Sequence, residues 1–285
     1  MYFCRVKFIQ TLFMSFYTLN IRQRLLDLMS PKVMAVVNLT DDSFLETSRC
    51  FSGDTLVSRI DECMTQGADI LDIGACSTRP GSNPVCESEE IGRLRWGLDI
   101  ICKKYPSATL SVDTFRASVA EEVLKNYPVA IINDVSGLSD TDMLSVIAKY
   151  KAVYILTYNN HDCGNGDIVY DAIKWLENKI DFLRQSGIKD IIIDPGFGFN
   201  KTVKDNYLLL RHLCELKVLG CPILVGVSHK SMFYKPLNLD AKDVLPASLT
   251  AQTIALQGGC NILRVHDVDD ALQQVKTWQL LNCKL

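Results

Sequence analysis

Eight short apolar runs alternate along the chain with longer amphipathic stretches. The runs are Val33–Val37, Ile70–Ile73, Leu110–Val112, Ala130–Ile132, Val153–Leu156, Ile191–Ile193, Ile223–Val225 and Ile262–Val265. Their length and β-branched content predict buried strands of a parallel sheet. The stretches between them predict helices. Asp54–Gln66 places Leu56, Ile60 and Met64 four residues apart, and Gly67 supplies a stop. Glu87–Tyr105 opens with acids and closes with Lys103 and Lys104, matching the helix dipole. Arg116–Asn126, Asp142–Tyr150, Ile168–Gln185, Leu208–Leu219, Pro246–Gln257 and Val268–Leu281 complete the set. This rhythm has no Ser/Pro-rich linker. It predicts an α/β fold, a single (β/α)8 TIM barrel over residues 19–285. A doubly wound sheet is the structural competitor. Residues 1–18 read as a short N-terminal extension, either disordered or the product of a start set too early. Met14 offers another start, and Met1–Phe13 is expected to be dispensable.

Polar residues sit at or just beyond nearly every run. They include Asn38, Asp72, Asp113, Asn133, Asp194, Ser228 with Lys230, and Arg264 with His266. In a barrel all C-terminal strand ends share one face, so these residues converge on one pocket. Each has a plainer alternative. Asn38 can serve an Asx turn. Asp113 and Asn133 can be helix N-caps. The Asp194-Pro195-Gly196-Phe197-Gly198-Phe199-Asn200-Lys201 segment can be a turn, but its acid can also bind an N–H pair and its rings can stack on a planar ligand. Lys230, Arg264 and His266 follow the seventh and eighth runs, where this fold often binds phosphate. Asp113, Asn133 and Asp194 suit a donor-rich edge; Asn38, Arg264 and His266 suit an anion with a metal. A flat amino-substituted heterocycle carrying a diphosphate satisfies both.

Composition narrows the function classes. The chain has 285 residues, 48% hydrophobic and 22% charged, with a net charge of −3. That is an ordinary globular balance, and no basic stripe marks a nucleic-acid binder. The 11 cysteines form no CxxC pair, which predicts idle thiols in a reducing cytoplasm. No apolar run approaches a bilayer span, so no membrane partner is expected.

The ordered set of stretches Asn38–Phe44, Asp72–Gly81, Ser111–Thr114, Ile131–Gly137, Asp194–Lys201, Ser228–Ser231 and Arg264–Asp267 resembles the dihydropteroate synthases of the pterin-binding barrel family. The resemblance runs from about Leu19 to the C-terminus. It implies a transferase that joins 4-aminobenzoate to 6-hydroxymethyl-7,8-dihydropterin diphosphate and releases diphosphate. Carried over, Asp113, Asn133, Asp194 and Lys230 hold the pterin, with Asp113, Asp194 and Lys230 nearest the chemistry. Asn38, Arg264 and His266 hold Mg²⁺-diphosphate, Asn38 as the metal ligand. Thr78, Arg79, Pro80, Phe199 and Ser228 shape the 4-aminobenzoate site. A homodimer and sulfonamide binding are implied in the same way.

Several positions depart from the family pattern. Asp41 replaces a proline, Cys76 a glutamate and His229 an arginine, while Thr157-Tyr158-Asn159 replaces Met-His-Met. These changes bear on the aminobenzoate side. His229, titrating near pH 6.5, is expected to lose its influence on 4-aminobenzoate binding between about pH 6 and 8, unless it points to solvent. Two other functions compete: a folate-dependent corrinoid methyltransferase, and a non-catalytic pterin-binding barrel. Ser77-Thr78-Arg79-Pro80 together with Ser-x-Lys at 228–230 argues against the methyltransferase.

Overall fold

The computed structural model describes residues 17–22, 24–40, 52–76, 85–160 and 166–282. A hairpin of β1 (Thr18–Ile21) and β2 (Arg24–Asp27) precedes eight parallel strands. These are β3 (Lys32–Asn38), β4 (Ile70–Gly74), β5 (Leu110–Asp113), β6 (Val129–Asp134), β7 (Val153–Thr157), β8 (Ile191–Asp194), β9 (Leu224–Val225) and β10 (Ile262–Val265). The sheet runs β8-β7-β6-β5-β4-β3-β10-β9, and a parallel bridge between Ile193 and Ile223 joins its two ends. The sheet is therefore a closed barrel, and the doubly wound alternative is excluded.

Helices cover the outside of the barrel. They span Gly53–Gln66, Glu87–Lys104, Ala117–Asn126, Met143–Tyr150, Ile168–Gln185, Val203–Arg211, Ser231–Leu237, Leu245–Gly258 and Val268–Asn282. The expected helix Leu208–Leu219 is corrected. Thr202 and Asp205 form a reciprocal capping box, so the helix starts at Val203, and it ends at His212. The rest, Leu213–Leu219, winds as a tighter 3-10 turn. The short helix Ser231–Leu237, with Pro236 inside it, was not expected.

Side chains alternate between the two faces of a strand. One parity packs outward against the helices. The other fills the lumen with Met34, Ile70, Ile131, Val153, Ile155, Ile192, Leu224 and Ile262. Two residues further along the same strands and on the same face come Asp72, Asn133, Thr157, Asp194 and Arg264. Asn38 stands four beyond Met34. Most strands are thus apolar at the N-terminal end inside the barrel and polar at the C-terminal end.

The hairpin closes the other end. Leu19, Ile21 and Leu28 join the lumen cluster. Asn20 N–H donates to Asp190 Oδ1 at 3.0 Å, and Arg22 donates to the Tyr127 and Val129 carbonyls at 2.5 and 3.2 Å. These partners lie at the starts of β6 and β8. The hairpin escapes sequence reading because its turn carries Arg22 at φ 49° rather than an Asn-Gly signal.

Candidate active site

Strand register levels the pocket rim. Asn38 pairs with Gly74, Gly74 with Asp113, and Asp113 with Asn133, across four neighbouring strands. Thr157 and Asp194 are paired opposite. Gly74 lies between two of these side chains: a Cβ there would stand in ordinary contact, 3.5 Å from Asn38 Oδ1 and 3.7 Å from the Asp113 side chain.

Asp72, Asp113, Asn133 and Arg264 form one bonded floor. Arg264 Nε donates to Asp72 Oδ2 at 2.6 Å, and its Nη2 donates to Asp113 Oδ2 at 2.8 Å. Asn133 Nδ2 donates to the same Asp72 oxygen at 3.0 Å. That contact fixes the amide, because its NH2 must face the carboxylate and its Oδ1 must then be an acceptor. Asp72 Oδ1 and Asn133 Oδ1 are buried and meet no hydrogen-bond partner among the described residues. Two adjacent buried acceptors call for a ligand with N–H donors. Burial pushes the Asp113 carboxyl up to about 7; Arg264 opposes that shift, and Asp72 adds to it.

Asp194 stands beside this floor. Burial raises its pKa, and Gly196 N–H, Lys230, Arg264 and Lys201 oppose the rise. Gly196 N–H donates to Asp194 Oδ1 at 2.7 Å. Glycine is needed at 196: φ is 68°, and a Cβ would sit 2.2 Å from the Tyr158 carbonyl. Lys201 Nζ binds the Tyr158 and Gly196 carbonyls, both at 2.8 Å, and so holds the loop. At the loop's tip, Lys230 Nζ lies 5.1 Å from the centre of the half-buried Phe199 ring. Phe197 instead packs into the outer core.

The seventh and eighth loops meet at His266. Ser228 Oγ lies 3.1 Å from His266 Nδ1 and 3.4 Å from its backbone N. Burial, then the charges of Arg264 and His229, hold the His266 pKa well below its ordinary value. His266 is therefore a neutral hydrogen-bonding group at physiological pH, a donor and not a cation. The solvent-facing alternative for His229 is corrected, since its ring is 3% exposed.

Asn38, Asp113, Asn133, Asp194, Phe199, Ser228, Lys230, Arg264 and His266 thus share the C-terminal end of the barrel. Thr78, Arg79 and Pro80 lie outside the described residues, as do Asp41 and residues 1–16. Asp72 went unassigned from sequence, although its parity in Ile70-Leu71-Asp72 matches that of Asn133, Asp194 and Arg264. The described residues contain no cluster of three His, Cys, Asp or Glu side chains able to hold a metal. No helix among them is long and apolar enough to cross a membrane.

A closed (β/α)8 barrel with one polar pocket at its C-terminal strand ends defines a TIM-barrel enzyme. Residues 34–266 match the family model of pterin binding enzymes. The chain is 35% identical over 240 residues to a dihydropteroate synthase of Clostridium beijerinckii, covering 83% of this chain and 88% of that one. A dihydropteroate synthase structure from Xanthomonas albilineans, with 4-aminobenzoic acid, superposes with TM-score 0.86 at 32% identity and covers 94% of this chain and 99% of that one. A Coxiella burnetii dihydropteroate synthase in complex with pteroic acid gives TM-score 0.85 at 30% identity, covering 93% and 98%. The chain belongs to the pterin-binding enzyme family, and within it to the dihydropteroate synthases.

Proposed function

We propose that this pocket condenses 6-hydroxymethyl-7,8-dihydropterin diphosphate with 4-aminobenzoate, giving 7,8-dihydropteroate and diphosphate. The observation that carries the reading is the acceptor set at the pocket floor. Asp72 Oδ1 and Asn133 Oδ1 are buried without partners among the described residues. The amino-pyrimidinone edge of a pterin supplies N–H donors for such a set. Asp113 and Arg264 bound the same floor, and Lys230 closes it over Phe199.

In the reaction the methylene C–O bond breaks and diphosphate leaves with the bonding pair. Positive charge grows on the methylene and spreads into the electron-rich ring, near the Asp113 and Asp194 carboxylates. The amine nitrogen of 4-aminobenzoate forms the new C–N bond and then loses a proton. No enzyme nucleophile is required. Arg264 and His266 face the leaving group, Arg264 as a charge and His266 as a neutral donor. Phe199 and Ser228 shape the aminobenzoate side, with Thr78, Arg79 and Pro80.

The donor set fits Mg²⁺ as a companion of the diphosphate. Mg²⁺ takes few protein oxygens and keeps phosphate and water ligands. The Asn38 carboxamide, at the rim beside Gly74, would hold it. When bound, the ion neutralises charge on the leaving group. We further propose a homodimer and a cytoplasmic location. The groove between helices Val203–Arg211 and Leu245–Gly258, where Tyr207 and Ile254 are exposed, is the face for a second copy. Free thiols such as Cys86 and Cys214 fit a reducing compartment.

The test is product formation. Purified protein, Mg²⁺ and both substrates are expected to release dihydropteroate and diphosphate in equal amounts. Tight pterin binding without product would overturn the catalytic reading in favour of a pterin-binding barrel.

A further inference from the structure

His229 sits between Ser228 and Lys230, yet its side chain turns away from the pocket into the wall. Its backbone is in the left-handed region, φ 53°, which a non-glycine residue keeps only when its surroundings demand it. The surroundings are specific. Nδ1 lies 2.6 Å from the Ala241 carbonyl, and Nε2 lies 2.8 Å from Asp267 Oδ2. A carbonyl oxygen only accepts, and so does a carboxylate. Both ring nitrogens must therefore donate, which requires the doubly protonated imidazolium. The backbone N–H of His229 donates to Ser248 Oγ at 3.0 Å. One residue thus ties the seventh loop to the end of β10, to the Ala241–Asp243 turn and to the helix Leu245–Gly258.

We propose that His229 is a positioning residue, a buried imidazolium that holds Ser228 and Lys230 at the pocket by clamping Asp267 and the Ala241 carbonyl. The inference rests on the dihydropteroate synthase reading of the site. Ser228 bonds the ring of His266, and Asp267 follows His266 directly, so the clamp fixes both sides of that contact.

The charged groups around His229 support this. Asp267 faces Nε2, and its side chain is 27% exposed. The His266 ring centre lies 5.9 Å away, and that ring is neutral. Arg59, from the helix Gly53–Gln66, donates to the His266 carbonyl at 2.5 Å and adds its charge beside Asp267. Asp240, Lys242 and Asp243 neighbour Ala241 in the chain but are exposed. Burial alone pulls the His229 pKa down; the Asp267 bond, the Ala241 bond and the Asp267 charge outweigh it, and the net shift is upward. A raised histidine contributes fully below pH 6.5 and loses its contribution as pH rises through the folded value. The loss expected between pH 6 and 8 therefore moves to higher pH.

The experiment follows the wild type, His229→Arg and His229→Gln across pH 6 to 10. The ring nitrogen resonances of His229 are read by NMR, and KM and kcat for 4-aminobenzoate are read by product formation. In the wild type both ring nitrogens are expected to be protonated at pH 7, and KM is expected to rise about tenfold along the same titration curve. His229→Arg keeps a fixed charge and flattens that rise; His229→Gln shows the high KM at every pH. A ring that titrates at or below pH 6.5 overturns the proposal without reference to activity. A raised titration with KM independent of it, or the same rise in His229→Arg, also overturns it. A wild type that binds both substrates and makes no product fails the proposed function instead, and the NMR titration still decides the state of the clamp.

Discussion

Replacing Asp194 with asparagine separates ligand recognition from folding. Gly196 N–H already donates to Asp194 Oδ1 at 2.7 Å. An asparagine there must turn its own oxygen toward that N–H, because an amide NH2 facing it sets donor against donor. Its NH2 then points to the position of the second carboxylate oxygen, where the pterin edge is expected to donate. A ligand N–H loses its acceptor and meets another donor. Losing such a charge-assisted bond and leaving a buried group unpaired costs roughly 2–4 kcal/mol, about 30- to 1000-fold in affinity.

Folding responds in the opposite direction. Burial raises the Asp194 pKa despite Gly196 N–H, Lys230, Arg264 and Lys201, so ionisation is harder in the fold than in the unfolded chain. A carboxyl raised in this way adds stability at acid pH and loses it as pH climbs from 3.8 through the folded value. The neutral asparagine escapes that loss. Asp194→Asn is therefore expected to bind 6-hydroxymethyl-7,8-dihydropterin far more weakly by calorimetry. It is also expected to melt no lower than the wild type at pH 8, with any advantage shrinking in acid. Pterin affinity within threefold of wild type refutes the recognition role. A large fall in melting temperature refutes the electrostatic reasoning.

Asp72→Asn removes the charge that both Arg264 Nε and Asn133 Nδ2 meet, and is expected to weaken pterin binding about tenfold or more; unchanged calorimetry counts against Asp72 as part of the site. Asp113, pushed up to about 7, accepts donors best when ionised, so pterin affinity should fall as pH drops below about 7, in an acid limb that Asp113→Asn abolishes. Arg264→Ala strips partners from two carboxylates and should impair even a pterin lacking diphosphate. The diphosphate substrate should lose more, in kcat as well as KM, and equal losses would remove Arg264 from the leaving-group side.

The barrel was legible because its signal repeats. Eight apolar runs separated by amphipathic helices leave few alternatives, and each helix expected from Asp54, Glu87, Arg116, Asp142, Ile168, Pro246 and Val268 onward lies within a residue or two of its place. The hairpin Thr18–Asp27 was not legible, because its strands are four residues long and its turn lacks glycine. The seventh β–α unit was misread because two helical pieces, Val203–Arg211 and Leu213–Leu219, share one leucine-rich stretch. The capping box at Thr202 and Asp205 was the signal for the earlier start; the break at His212 carries no side-chain cap of its own.

The site divides along a physical line. Residues that touch the ligand-facing lumen obey strand parity, so a period of two reaches them from sequence: Ile70 to Asp72, Ile131 to Asn133, Ile192 to Asp194 and Ile262 to Arg264. What those residues do to one another does not follow from parity. Arg264 reads as an anion clamp with all its donors free until its Nε and Nη2 are found on Asp72 and Asp113, which engage two donors and leave its charge in place. His266 reads as a cation or a donor until burial and the charges of Arg264 and His229 make it neutral. His229 reads as a weak stand-in for a permanent charge until Asp267 and the Ala241 carbonyl each claim one of its N–H groups. In all three cases the residue type is the same in both readings, and the surroundings set the donors or the charge it presents. Those partners lie 151 and 192 residues from Arg264, and 12 and 38 from His229. The place of β10 between β9 and β3, one strand away from β4, is what turns the longer of those separations into contacts.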